Sequence, residues 1–190
     1  MQKAAFITGN DTKWQIAENV FAKYGVELER SKLDTPEIQA MTSSEVAAFS
    51  AQWAAEKLSR LVIVSDVSYH IAALGGFPGP YIKYINKWLT SADLANLMSA
   101  HDDRSVYVNE VIGVCAPGEE AKMFMTKMGA RLAQKPKGSG YAIDQLLIWD
   151  GFDDVQATYT PEQMLKHWQE NLGHYHEAAK YLASLPAQKA

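Results

Sequence analysis

The centre of the fold is indicated by the stretch LVIVSD, residues 61–66. Its first four residues are apolar and mostly β-branched, which is typical of a central strand buried on both faces of a sheet. The run stops at Ser65 and Asp66. An acid is therefore predicted at the end of a buried strand, and sites in open α/β sheets are commonly built at strand ends.

The residues before this strand predict two strand and helix units. Ala4–Thr8 is a short apolar run that ends at a Gly-Asn turn, and apolar residues follow it at helical spacing. Val26–Ser31 predicts a second strand. A helix is expected over residues 44–59, because Thr42 and Glu45 have the spacing of a capping box. The order β-α-β-α-β predicts an α/β fold with a mixed, twisted sheet and flanking helices.

The residues after this strand predict shorter elements and a pair of long antiparallel strands, which could form the scaffold of a second lobe. Thr160 and Gln163 form another capping box, with Pro161 at the first helical position. The predicted elements are a strand at 70–74, helices at 81–89 and 91–99, strands at 105–114 and 122–133, a loop at 134–140 and a helix at 174–185.

Composition limits the classes of partner. Eighteen basic and twenty-two acidic residues give a net charge of −4, so no general attraction to nucleic acid or to an anionic membrane is expected. No apolar window approaches the length of a membrane span, and the N-terminus lacks the pattern of a signal peptide. The single cysteine, Cys115, suits a reducing compartment. A cytoplasmic protein is predicted.

A turn with the sequence TGNDTK, residues 8–13, lies where the first predicted strand gives way to the first helix. Free backbone N–H groups and the helix dipole favour an anion at such a place, and Lys13 is close enough to reach phosphate oxygens. The alternative is an ordinary strand-to-helix turn capped by Asn10. The residues alone leave both interpretations open.

Two carboxylates stand at positions that suit a metal site. Glu37 lies in a predicted loop and Asp66 follows the buried strand. Mg²⁺ prefers a few acidic oxygens together with water and substrate phosphates. The alternative is that Glu37 is solvated and Asp66 caps a turn. Lys83 and Lys87 lie one turn apart on a predicted helix, where lysines most often face solvent.

Other familiar catalytic patterns are absent from the sequence. It has no G-x-x-x-x-G-K-[ST] loop, no G-x-S-x-G elbow and no G-x-G-x-x-G fingerprint. The sequence therefore lacks the motifs that would best support a kinase, an α/β-hydrolase or a dehydrogenase. The five histidines do not have the spacing of a structural zinc site.

Taken in order, these segments resemble the inosine triphosphate pyrophosphatase family, also called the non-canonical purine NTP pyrophosphatases. The resemblance extends from Phe6 to about Leu182. Two segments match only partly, because they keep an aspartate but lose its neighbours. The matching segments are ALGGFPGPYIK at 73–83, FITGN at 6–10 with Lys13, LDTPEIQ at 33–39, and the partial matches VIVSD at 62–66 and YAIDQ at 141–145.

The resemblance implies an elongated, two-lobed fold like that of inosine triphosphate pyrophosphatases and anticodon-binding domains, with residues 1–190 as a single domain around a central nucleotide cleft. It also implies a nucleoside triphosphate substrate, Mg²⁺ and a homodimer. The implied metal ligands are Glu37 and Asp66; the implied catalytic residues are Asp66, Lys13 and Asp144; the implied substrate-binding residues are Thr8, Gly9, Asn10, Lys13, Lys83, Tyr141, Asp144, His174 and Tyr175.

Several positions depart from the family pattern. Ser65 replaces the first acid of a pair, and Ser50 and Gln169 stand where the family has lysines. Tyr175 and Ile143 replace the arginine and the aromatic residue with which the family recognises the purine. Because Arg donates in a fixed planar geometry and Tyr does not, base specificity is expected to differ.

Three hypotheses follow from the sequence. The first is an enzyme that hydrolyses a nucleoside triphosphate between its α and β phosphates, for which a metal, two carboxylates, Lys13 and Lys83 would suffice. The second is a protein that binds a nucleotide without turnover, which the missing lysines and acid favour. The third is a fold retained only as a surface for a partner.

Overall fold

The computed structural model describes residues 2–186. Within this range the chain forms one mixed sheet of seven strands, with six α-helices flanking it. The strands are β1 (Gln2–Ile7), β2 (Val26–Ser31), β3 (Val62–Ile71), β4 (Pro78–Gly79), β5 (Ser105–Cys115), β6 (Lys122–Leu132) and β7 (Leu147–Trp149). The helices are α1 (Asp11–Ala22), α2 (Ser43–Leu58), α3 (Ile82–Trp88), α4 (Ser91–Leu97), α5 (Pro161–Asn171) and α6 (Gly173–Ser184). The predicted α/β class is confirmed.

The order of strands in the sheet is β2-β1-β3-β5-β6-β7, and β4 pairs with β3. β2 and β3 both run parallel to β1, whereas β4 is antiparallel to β3 and β7 is antiparallel to β6. Ile7 at the end of β1 pairs with Ser31 on one side and Val64 on the other. The residues that follow, Thr8 and Ser65, are therefore neighbours at this part of the sheet.

Small side chains allow α2 to pack closely against the sheet. Ala51, Ala54 and Ala55 of this helix are fully buried and form one apolar cluster with residues of β1 and β3. Larger side chains at these positions would overpack the interface, at a cost of typically about 1–3 kcal/mol each. The cluster comprises Ala5, Ile7, Ala51, Ala54, Ala55, Val62, Val64 and Cys115.

The third strand differs from its prediction. It does not stop at Ser65 and Asp66 but continues to Ile71, so Asp66 lies within β3. The separate strand predicted at residues 70–74 is wrong, because His70 and Ile71 end β3 and Ala72–Leu74 forms a 3₁₀ turn. Pairing with β4, at Tyr69 with Gly79 and His70 with Pro78, provides backbone partners that extend the strand past its apolar part.

The described chain divides into two compact units. The first comprises the residues up to Asp66, Glu110–Thr126 and the residues from His167 onward. The second comprises Val67–Asn109 and Lys127–Lys166. The division between units falls within β3, β5, β6 and α5. None of the helices in the described range has the length and apolar character needed to cross a membrane.

Candidate active site

The turn after β1 is held by its own side chains. The hydroxyl of Thr8 accepts a hydrogen bond of 3.0 Å from the backbone N–H of Asn10. The side chain of Asn10 accepts one of 3.1 Å from the backbone N–H of Lys13 and so caps α1. Gly9 is exposed, and a Cβ there would meet nothing within 4 Å, so packing does not require a glycine. The turn leaves exposed backbone at the positive end of a twelve-residue helix.

Arg30 of the neighbouring strand β2 stabilises this turn. It belongs to none of the motifs found in the sequence. Its Nε donates to the carbonyl oxygen of Thr8 at 3.2 Å, and its Nη1 lies 2.7 Å from a carboxylate oxygen of Asp11. Its Nη2 is buried without a hydrogen-bond partner. A permanent cation therefore stands beside the turn and retains one buried donor. No sequence signal distinguishes Arg30 from other basic residues in strands.

Lys13 connects the first turn of α1 to the third strand. Its Nζ donates a hydrogen bond of 3.1 Å to the carbonyl oxygen of Ser65. Asp66 is the next residue of β3, so the ammonium group is held at the backbone segment that carries the predicted carboxylate. The structure thus brings together the turn of residues 8–10, Lys13 and the Ser65-Asp66 segment.

Glu110 of β5 belongs to the same neighbourhood, although none of the sequence motifs contains it. Burial raises the pKa of its carboxyl group to about 7; the charge of Lys13 lowers the pKa and that of Asp66 raises it further. β5 is the neighbour in the sheet of β3, the strand that carries Asp66. One signal was present in the sequence, since Glu110 is the single charged residue in SVYVNEVIGVC, residues 105–115.

His174 is completely buried at the start of α6. The hydroxyl of Thr126 accepts a hydrogen bond of 2.9 Å from its backbone N–H and lies 2.9 Å from its Nδ1. Its Nε2 has no hydrogen-bond partner. Burial, and then the charge of Lys13, lower the pKa of His174 to about 3, so the imidazole is neutral at physiological pH.

Tyr175 is also buried, and its ring lies 4.8 Å from that of His174 between centroids. Burial, with a further contribution from the charge of Glu110, holds the pKa of the Tyr175 phenol far above the ordinary value, and an interaction with the Ser65 side chain opposes this rise. The Ser65 hydroxyl itself lacks a partner with hydrogen-bond geometry. The phenol of Tyr175 therefore stands in the neighbourhood of Ser65 and Glu110.

Three other predicted residues lie in the second unit. Lys83 is exposed on α3, and Tyr141 is exposed in the turn that follows Gly140. Burial raises the pKa of Asp144 to about 6. The carboxamide oxygen of Asn86, also on α3, accepts a hydrogen bond of 3.2 Å from the backbone N–H of Ile143. This bond places α3 against the turn that carries Tyr141 and Asp144.

Asp66 provides the carboxylate oxygens that a hard divalent cation requires, which fits Mg²⁺. Glu37 lies exposed in the irregular segment before α2. The charges that act on the pKa of Glu110 are those of Lys13 and Asp66. Within residues 2–186, no three His, Cys, Asp or Glu side chains gather as ligands for one ion. A cation here would therefore rely on water and substrate phosphates for much of its coordination, as Mg²⁺ commonly does.

Similar proteins point to one family. The chain is 36% identical to a dITP/XTP pyrophosphatase of Methanopyrus kandleri over 165 residues, which are 86% of this chain and 88% of that protein. It is 37% identical to a dITP/XTP pyrophosphatase of Methanothermobacter marburgensis over 152 residues, 80% of this chain and 81% of that protein. These matches confirm the family resemblance predicted from the motifs.

A solved structure shows the same fold. The HAM1 protein of Coxiella burnetii superposes with a TM-score of 0.78, covering 96% of this chain and 98% of that one at 19% identity. The sequence matches the Ham1 family over residues 4–184. This match spans nearly the whole chain, so the protein belongs to the Ham1 family.

Proposed function

We propose that the protein is a nucleoside triphosphate pyrophosphatase that acts on a non-canonical purine NTP or dNTP with Mg²⁺ and releases the monophosphate and pyrophosphate. The bond from Lys13 Nζ to the Ser65 carbonyl carries the proposal. It holds a cation between an anion-favouring helix N-terminus and the strand segment that carries Asp66. The names of the archaeal relatives, dITP/XTP pyrophosphatases, support the same reaction class.

In the proposed reaction a water oxygen attacks the α-phosphorus, and the bond from that phosphorus to the α–β bridging oxygen breaks. The bridging oxygen leaves with pyrophosphate, and Asp66 is the candidate acceptor for the proton of the water. Lys13 and the N–H groups of the 8–10 turn neutralise phosphate charge, which is the main requirement of phosphoryl transfer. A bound Mg²⁺ would add Lewis-acid stabilisation of the phosphate oxygens.

The second unit would hold the nucleoside. Tyr141 is 64% exposed and offers an aromatic face to a base. Asp144, whose pKa burial raises to about 6, provides a carboxyl group close by, and Lys83 provides a second cation. We propose these three as nucleoside-binding residues, and Thr8, Gly9, Asn10 and Lys13 as phosphate-binding residues.

A nucleotide-binding protein without turnover is the second candidate. Ser65 favours it, because a serine hydroxyl carries no charge with which to activate water. Pyrophosphate release by the purified protein, assayed with inosine, xanthosine, adenosine and guanosine triphosphates and Mg²⁺, separates the two. Turnover that disappears in Asp66→Asn supports the enzyme. Mg²⁺-dependent binding without any release supports the binding protein.

We propose a homodimer in the cytoplasm, as the family resemblance and the single, buried cysteine suggest. Light scattering at micromolar concentration would test the dimer, and a monomeric mass would contradict it.

A further inference from the structure

The turn after β1 is fixed to β2 at its first residue. Arg30 of β2 pairs with Phe6 of β1 in the parallel register. Its Nε donates a hydrogen bond of 3.2 Å to the carbonyl oxygen of Thr8, and the carbonyl oxygen of Ser31 accepts one of 3.0 Å from the backbone N–H of Thr8. Both backbone polar groups of Thr8 are therefore bonded to the same strand, which restrains the path of the chain as it enters α1.

Asp11 brings a negative charge to the start of α1. It is the first residue of the helix, and its side chain is 84% exposed. A carboxylate there is favourable for the helix dipole, but it repels any anion that approaches the same end of the helix. A triphosphate carries several negative charges, so an uncompensated Asp11 would oppose its binding at the turn of residues 8–10.

The guanidinium group of Arg30 compensates this charge. Its Nη1 lies 2.7 Å from a carboxylate oxygen of Asp11, while its Nε donates to Thr8. The Arg30 side chain is 22% exposed and its Nη2 is buried, so solvent and salt screen this cation less than a cation at an open surface. The planar fork of an arginine bonds two acceptors in a fixed geometry, which the single ammonium group of a lysine does not do.

We propose that Arg30 is a positioning residue of the phosphate-binding turn: it anchors Thr8 and neutralises Asp11, so that the start of α1 accepts a polyphosphate chain. This role rests on the proposed function, because it concerns how that site admits the triphosphate. Arg30 acts through the carbonyl group of Thr8 and the charge of Asp11 rather than by contact with the substrate.

A purely structural role of Arg30 would have different consequences. If Arg30 only tied β2 to the turn, its loss would weaken the binding of every ligand alike, and the charge of Asp11 would not matter. If Arg30 neutralises Asp11, its loss should weaken anionic ligands selectively, and removal of the Asp11 charge should restore part of the lost affinity. A double-mutant cycle separates these two cases.

The test measures binding at low ionic strength, with EDTA present so that metal-dependent hydrolysis does not interfere. Isothermal titration calorimetry gives the affinities of each variant for inosine triphosphate and for inosine. We expect Arg30→Met to weaken triphosphate binding about tenfold and to leave inosine binding within about threefold. Asp11→Asn added to Arg30→Met should strengthen triphosphate binding at least about threefold, whereas Asp11→Asn alone should not weaken it.

Arg60 and Glu29 provide a matched control, because they form an ion pair of 2.8 Å and Glu29 is the residue before Arg30. Arg60→Met removes the same charge as Arg30→Met and should leave triphosphate affinity unchanged. Glu29→Gln should not restore the affinity of Arg30→Met. Circular dichroism verifies the fold of each variant. If Arg30→Met is unfolded, Arg30→Gln takes its place, since it keeps a donor for the carbonyl group of Thr8 and carries no charge.

Four results would overturn the proposal: unchanged triphosphate affinity in Arg30→Met, equal losses for triphosphate and inosine, an equal loss in Arg60→Met, or no recovery when Asp11→Asn is added. Failure of the proposed function is a separate result. Triphosphate binding that depends on Arg30 and Asp11 in this way, without pyrophosphate release in the presence of Mg²⁺, would refute the reaction and support the positioning role. Pyrophosphate release with a triphosphate affinity that does not respond to Arg30→Met would do the reverse.

Discussion

Lys13 Nζ donates a hydrogen bond of 3.1 Å to the carbonyl oxygen of Ser65, which lies 52 residues further along the chain. The bond joins the first turn of α1 to β3 and fixes a long, otherwise mobile side chain in one direction. Because Ile7 pairs with Val64 in the parallel register, the turn after β1 and the Ser65-Asp66 segment lie at the same part of the sheet. A lysine in the first helical turn is therefore within reach of both.

Replacing Lys13 should weaken the binding of phosphate more than that of nucleoside. Lys13→Ala removes a charge-assisted bond, so we expect triphosphate binding to lose about 1.5–3 kcal/mol while nucleoside binding changes little. Isothermal titration calorimetry with inosine triphosphate and inosine measures both. Lys23→Ala is the matched control, since Lys23 is exposed at the opposite end of the same helix. Equal losses for the two ligands would contradict a phosphate role.

His174 should make stability fall in mild acid. Burial, followed by the charge of Lys13, lowers its pKa to about 3, whereas the unfolded chain protonates it near 6.5. The unfolded state therefore binds more protons between these values, and the free energy of unfolding decreases as pH falls from about 6.5 towards 3. At pH 4.5 the loss from this residue is about 2–3 kcal/mol relative to pH 7.

Urea unfolding at pH 7.0 and 4.5 measures this effect. His174→Gln lacks the titrating group, so its free energy of unfolding should fall less between the two pH values, whatever its absolute stability. His101→Gln, at a partly exposed position, should keep the pH dependence of the unmodified protein. An unchanged pH dependence in His174→Gln would mean that another group is responsible.

Locally encoded features were predictable from the sequence. The second strand has the predicted bounds, Val26–Ser31, and the capping box of Thr42 and Glu45 is present before α2. Thr160 and Gln163 also exchange the predicted hydrogen bonds, of 2.9 and 3.3 Å. Such signals depend on residues a few positions apart, so a single sequence contains them.

Features that depend on strand order were not predictable in the same way. The charges of Lys13 and Asp66 act on the pKa of Glu110, whose strand β5 lies beside β3. Arg30 reaches the carbonyl oxygen of Thr8 because β2 lies beside β1. The length of β3 was missed for a similar reason, since β4 pairs with its polar second half. The motifs indicated Lys13 and Asp66 as candidates, but their catalytic roles remain predictions.

Asp144→Asn should stabilise the protein at neutral pH and impair its function. Burial raises the pKa of this carboxyl group from 3.8 to about 6, so the folded state holds the proton more tightly than the unfolded state. The ionised group therefore costs stability above about pH 6, and that cost disappears below about pH 4. Asparagine removes the charge. We expect a gain of about 2 kcal/mol at pH 7.5 and little change at pH 3.5.

Thermal unfolding of the variant at the two pH values checks the stability, and nucleotide titration checks the function. A gain in stability with weaker nucleotide binding would be typical of a group kept for its role in a site. Asp154→Asn is a suitable control, because Asp154 is ion-paired with Lys137 at 2.9 Å. Removal of its charge should therefore not raise the stability of the protein at pH 7.5. Destabilisation of Asp144→Asn at pH 7.5 would show that the carboxylate has a partner that compensates its burial.

The last prediction concerns the base. Ile143 and Tyr175 are each 1% exposed, so the two residues that replace the family's aromatic and arginine are enclosed by the protein. Tyr141, at 64% exposed, is the aromatic residue of this segment that a base can approach. Stacking on an aromatic face has no strong preference among purines, because every purine has a π surface.

The protein should therefore discriminate weakly between inosine and adenosine triphosphates. Apolar and stacking contacts separate similar substrates by about 10–200-fold in kcat/KM, whereas a buried polar group aimed at the base achieves about 10⁴ or more. We expect a ratio of kcat/KM below about 200-fold. Tyr141→Ala should lower kcat/KM for inosine triphosphate and for adenosine triphosphate alike. Tyr141→Phe should lower neither, since only the face of the ring contacts the base. A preference near 10⁴ for inosine triphosphate would mean that a polar group, with Asp144 the first candidate, reads the base directly, because stacking on Tyr141 cannot produce selectivity of that size.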